Sequence, residues 1–156
     1  MRTERQPVVA FWKRPSESGL DTGPTLRNAE KLTPLKTVLL VDDVNELREQ
    51  LRDFLESMNI QVLEAADAVA AISIGSSHHG NIDLLLTDLK MRGMSGWESA
   101  NEIARKRPAM RVLYMSGAIS PQEWNDNPEK PAGSYFIQKP FKLEELKALL
   151  MAILAE

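Results

Sequence analysis

The chain has 156 residues, 43% of them hydrophobic and 26% charged, with 22 acidic against 19 basic side chains and no cysteine. That composition describes one globular domain with a tail, excludes two independent catalytic domains, and leaves no thiol for a disulfide scaffold, a cysteine nucleophile or a thiolate metal site. Residues 1–36 hold seven basic and four acidic side chains, a net +3, so the remainder carries −6 of a total of −3; an acidic body is no platform for nucleic acid.

Residues 1–36 contain Pro7, Pro15, Pro24 and Pro34 and no apolar periodicity, the pattern of a flexible tail or linker. Within them Val-Val-Ala-Phe-Trp at 8–12, followed by Lys13 and Arg14, reads as an exposed patch; a docking segment or the last strand of a preceding domain are the other readings. The run is too short for a secretory signal. No apolar run reaches the ~20 residues of a membrane span, so neither membrane nor export is expected.

From Thr37 the pattern changes. Val-Leu-Leu-Val at 38–41, stopping at Asp42, reads as a parallel strand buried on both faces. Leu47, Leu51, Phe54, Leu55 and Met58 recur on one helix face. A second strand is predicted over 60–63, then an Ala-rich helix capped by Asp67 and running to about Ile74. His78 and His79 fall in a loop, not in a metal site or on a phosphorelay helix. A third strand is predicted over 82–87, ending at Asp88, then a helix from Trp97 to about Arg107, stopped by Pro108. The fourth strand, 111–115, leads to a segment opened by Ser120 and Pro121 in which Pro128 and Pro131 leave room for barely two helical turns. Tyr135 to Gln138 is the fifth strand, and Leu143, Leu146, Leu149, Leu150 and Ile153 form the stripe of a last helix. Trp97 and Trp124 read as packing residues. Five strands alternating with five helices make an α/β domain, an open five-stranded parallel sheet with helices on both faces and a short or irregular fourth helix.

Ligands of such sheets sit beyond the carboxyl ends of the strands. There the sequence puts Asp42 and Asp43, Asp88, Ser116, and Lys139 with Pro140. Converging carboxylates repel one another unless a cation lies among them, and an oxygen-only set without His or Cys suits Mg²⁺. Asp88, on the central strand between the acidic pair and the Ser and Lys, is placed to accept a phosphoryl group whose oxygens would meet Mg²⁺, Ser116 and Lys139.

Val-Leu-Leu-Val-Asp42-Asp43, Leu-Leu-Thr-Asp88 followed by Met91, Gly93, Met94 and Gly96, Met115-Ser116-Gly117, and Gln138-Lys139-Pro140-Phe141 together resemble the response-regulator receiver domain of two-component signalling, over residues 37 to about 154. The resemblance implies a flavodoxin-like strand order 2-1-3-4-5 and divides the chain into a tail, 1–36, and a receiver domain, 37–156. It implies that Asp88 is the phosphoacceptor, charged by a histidine kinase or phosphotransfer partner. Asp42 and Asp43 would be the acidic pair, with Asp43, Asp88 and the Lys90 carbonyl on the metal. Ser116 would be the switch hydroxyl, Phe136 the switch aromatic, and Lys139 the ammonium that pairs with the phosphoryl group. The Lys139-Pro140 bond would be cis, against about 5% of X-Pro bonds in general.

A receiver is not a conventional enzyme; it would catalyse its own Mg²⁺-dependent phosphorylation in the cytoplasm and act through protein contacts. The pattern departs from the family in three places. Met91 is followed by Arg92 where Pro is usual. Lys90 flanks the path of attacking water and Ala118 offers it no polar group, which predicts slow self-dephosphorylation. The interrupted fourth helix does not favour dimerisation through the face of that helix, and with the surrounding motifs it looks most like receivers appended to hybrid sensor kinases, although a free single-domain regulator fits as well. A constitutive interaction module that keeps the fold without the chemistry is the alternative. A metal-dependent phosphatase would want an acid at the position of Lys90.

Overall fold

The computed structural model describes residues 35–155, so the expectations for residues 1–34 fall outside the described residues. Ten elements alternate along the chain: β1 (Thr37–Val41), α1 (Asn45–Ser57), β2 (Gln61–Ala65), α2 (Ala68–Ser77), β3 (Leu84–Asp88), α3 (Gly96–Lys106), β4 (Arg111–Ser116), α4 (Pro121–Asp126), β5 (Tyr135–Gln138) and α5 (Leu143–Leu154). The strands form one parallel sheet in the order β2-β1-β3-β4-β5, the flavodoxin-like order implied by the sequence.

The apolar runs of β1 and β3 follow from their central places, because each strand must be apolar on both faces. Val38 and Leu40 of β1 and Leu84 and Leu86 of β3 pack with Leu51 and Leu55 of α1 and Leu146 and Leu150 of α5. Their neighbours Leu39, Val41 and Leu85 face the other way, onto Ala71 of α2, Ala100 and Ile103 of α3, and Trp124 of α4. One residue of slip in β1 would reverse both sets, so burial on both sides fixes the register that sets Val41 beside Thr87.

Three boundaries differ from the sequence reading. The second strand runs over 61–65 rather than 60–63, because Asn59 takes a left-handed φ of 64° and ends α1, and the Ile60 N–H turns back to the Leu55 carbonyl. Glu64 is accommodated in β2, an edge strand, by ion pairs with Arg48 and Arg52. The α2 helix continues past Ile74 to Ser77 because the Arg107 guanidinium donates to the carbonyls of Gly75, His78 and Gly80, supplying partners that a helix end otherwise lacks. The third strand starts at Leu84, after Asp83, whose carboxylate accepts the Thr37 N–H.

The fourth helix is short, as the prolines require. Ser120 and Glu123 close a capping box around Pro121, and Trp124 is the residue of α4 that is buried. Its ring centroid lies 5.2 Å from that of Phe136 with the planes 14° apart, 5.2 Å from that of Tyr114 and 5.6 Å from that of Trp97. This aromatic stack is what holds α4 to the sheet. Trp124→Ala is therefore expected to cost about 3 kcal/mol of unfolding free energy in a urea titration; a loss under about 1 kcal/mol would mean that the ring does not fasten the helix.

Candidate functional site

The chain leaves β1 for one side of the sheet, to β2, and returns to β3 on the other side. The crevice for a ligand therefore opens between the carboxyl ends of β1 and β3, where Asp42, Asp43 and Asp88 stand. Each of the three has a carboxylate oxygen within 4.8 Å of those of the other two. Asp42 and Asp88 are buried and Asp43 is exposed, so the cluster has one open side.

The two adjacent acids do different work. Asp42 uses both oxygens inside the protein: Oδ1 accepts the Val44 N–H at 2.9 Å, and Oδ2 accepts from Lys139 Nζ at 3.0 Å. Asp43 and Asp88 thus keep the oxygens that face the opening. Lys139 reaches the site from β5, where its backbone N–H is fixed to the Ser116 carbonyl; its ammonium also lies 3.5 Å from Asp88 Oδ2. The Lys139-Pro140 peptide is cis, as the resemblance implied.

Burial raises the pKa of Asp88 above the usual carboxylate range, and Asp42 and Asp43 push it further up, while Lys139 opposes them. One ammonium thus faces three carboxylates. A hard divalent cation is the group this donor set fits: oxygen ligands alone, one side open to water, and a charge imbalance that a cation removes.

Ser116 ends β4 buried, with its hydroxyl accepting the Ala118 N–H at 3.0 Å. Phe136 is half-buried beside Tyr114, on the sheet face that Ser116 also shares, and stacks against Trp124. Lys90 is exposed two residues beyond Asp88. Burial lifts the Tyr114 phenol, within the same aromatic stack, to about 12, so it stays neutral at physiological pH.

Two contributions escaped the sequence reading, that of Arg48 altogether and the packing role of Gly96. Arg48 donates to the Asp42 carbonyl at 2.8 Å, to Glu64 and to Asn45, bracing the turn that carries both acids; its position on the first turns of α1, after the acidic pair, was the available signal. Gly96 opens α3 directly against β3, and a Cβ there would overlap the Asp88 carbonyl oxygen. Only glycine allows that approach.

The family model for the response regulator receiver domain matches residues 38–151, and the chain belongs to that family. It is thereby a receiver domain of two-component signalling. Among curated proteins it is 30% identical over 131 residues to the sensor kinase CckA of Brucella abortus, covering 82% of this chain and 14% of that protein. It is also 32% identical over 111 residues to a cyclic di-GMP phosphodiesterase of Thermotoga maritima, covering 71% of this chain and 29% of that one. The chain spans less than a third of the length of these two relatives. Among solved structures, the receiver domain of the hybrid histidine kinase CckA is 26% identical and superposes with a TM-score of 0.65, covering 76% of this chain and 98% of that one. A CheY-like receiver from Methanospirillum hungatei is 25% identical with a TM-score of 0.68, covering 78% and 95%.

Because the folded state disfavours the Asp88 carboxylate, its charge costs stability at neutral pH, and that cost disappears as pH falls through its raised pKa. Asp88→Asn is accordingly expected to raise the Tm by a few degrees at neutral pH without divalent cation, and the difference should shrink on acidification. Added Mg²⁺ should stabilise the wild type more than the variant. A variant that melts below wild type at neutral pH would contradict this electrostatic account.

Proposed function

We propose that the chain is a phosphorylation-activated signalling switch that takes a phosphoryl group onto Asp88 from a histidine kinase or phosphotransfer partner, in the cytoplasm, and passes the signal on through protein contacts rather than nucleic acid or membrane. The observation that carries this reading is the meeting of the Asp88 carboxylate with Asp43, Asp42 and the Lys139 ammonium in one open crevice. A carboxylate so placed is a nucleophile with its countercharges already in position.

In the reaction an Asp88 oxygen attacks phosphorus, the bond from phosphorus to the donor nitrogen breaks, and the donor imidazole leaves neutral after taking a proton as needed. Mg²⁺, held by Asp43, Asp88 and the Lys90 carbonyl with Asp42 beside them, would supply charge neutralisation for the transferring group. Lys139, within 3.5 Å of Asp88 Oδ2, pairs with the new phosphoryl oxygens. Ser116 releases the Ala118 N–H and turns its hydroxyl toward the same oxygens. Phe136 then follows into the space Ser116 leaves, and the face built from α4 and β5 changes. Differential contacts of Ser116 and Lys139 with the phosphoryl group shift the population, since a ligand bound equally by both states would shift nothing.

Hydrolysis of the acyl phosphate needs an oriented water. The side chains of Lys90 and Ala118 give it no acceptor, so the phosphorylated state is long-lived.

Incubation with acetyl phosphate or phosphoramidate and Mg²⁺ is expected to add about 80 Da to the intact mass, with no gain for Asp88→Asn or without the metal. No gain under conditions where a control receiver reacts would favour a constitutive interaction module instead. Once the donor is removed, the added mass should decay over minutes or longer; a half-life on the order of seconds would overturn the water-orientation argument.

A further inference from the structure

At the amino-terminal end of the sheet, away from the acidic rim, a groove of about 760 Å³ runs between the last turn of α1 and the last turns of α5. Phe54, Met58 and Ile60 line it from the α1 side, Met151 and Leu154 from α5, and Leu35 forms its lip. Leu35 is 46% exposed and Met151 57%. Exposed apolar groups gathered in a concave site call for a cover.

Leu35 is also where the described chain begins, so residues 1–34 join the domain at the groove itself. Their longest apolar run is Val-Val-Ala-Phe-Trp at 8–12. We propose that residues 8–12 of the same chain dock in this groove, seating Phe11 and Trp12 against Phe54, Met58 and Met151.

Reach does not limit the contact, because residues 13–34 could span about 70 Å if extended. A tether of this kind gives an effective concentration in the millimolar range, so a weak intrinsic affinity suffices. Apolar burial drives the seating, with two aromatic rings as the main payload. Charge opposes it: Lys36 and Lys147 flank the groove, and Lys13 and Arg14 follow the rings. Salt therefore strengthens the docking by screening that repulsion. A second copy is a poor occupant. It would have to offer a protruding apolar group, and the other strongly exposed large apolar side chains among the described residues, Val44 and Val69, stand singly on or beside different helices. Docking at this end leaves the acidic rim free, and the inference does not depend on phosphorylation.

The absence of cysteine makes the test direct. A nitroxide attached to the full chain through Gln6→Cys should selectively broaden the amide resonances of Met58, Ile60, Met151 and Leu154, more at high salt than at low. The broadening should be lost in the Phe11→Ser, Trp12→Ser double variant and in Met151→Ser, a change at an exposed position that leaves the rest of the spectrum in place. Uniform or absent broadening would overturn the proposal. So would broadening that appears in a mixture of labelled and isotope-enriched unlabelled chains, which would assign the groove to a second copy.

Discussion

Among the described residues the ammonium of Lys139 is the one positive charge bonded to the acidic cluster, and the rim depends on it. It comes from the edge strand β5 and reaches Asp42, at the end of β1, across the ends of β4 and β3. Without it, two buried carboxylates and a third beside them would face one another in a medium that screens charge poorly. The fold makes the arrangement tolerable by bringing its members from the ends of three strands, of which β1 and β3 are anchored by apolar residues with no exposure at all. The balance is incomplete: one ammonium does not neutralise three carboxylates, and a negative potential remains in the crevice that suits a cation.

This accounts for which parts of the molecule were legible from the sequence. Central strands must be apolar on both faces and must stop where a polar residue meets the rim, so β1 and β3 announced themselves and brought Asp42 and Asp88 with them. The Ser and Lys ends of β4 and β5 followed from the same rule. The edge strand β2 did not, because one of its edges is unpaired and Glu64 is held there by Arg48 and Arg52; its bounds depended on Asn59 turning left-handed, which no periodicity records. The end of α2 was hidden for a related reason, since its last carbonyls are satisfied by Arg107 from a distant helix end.

Arg48 and Gly96 were hidden at the site itself. An arginine just after the acidic pair hints at a part in the rim, but its place in the helix pattern does not say that its guanidinium will brace the Asp42 carbonyl. A glycine at a helix start reads as ordinary until the strand that it touches is known to be the one carrying Asp88. Both belong to the tertiary level, where spacing along the chain gives no distance. The two curated relatives fit the same division: the match takes in most of this chain and less than a third of each of them.

The shortness of α4 has a thermodynamic meaning beyond its geometry. A helix of six residues is well below the length at which helices persist unaided in water. Its existence is thus conditional on a single indole finding its place among Tyr114, Trp97 and Phe136. The helix is therefore close to two-valued: with the ring seated it persists, and without that contact six residues make too few backbone hydrogen bonds to hold it.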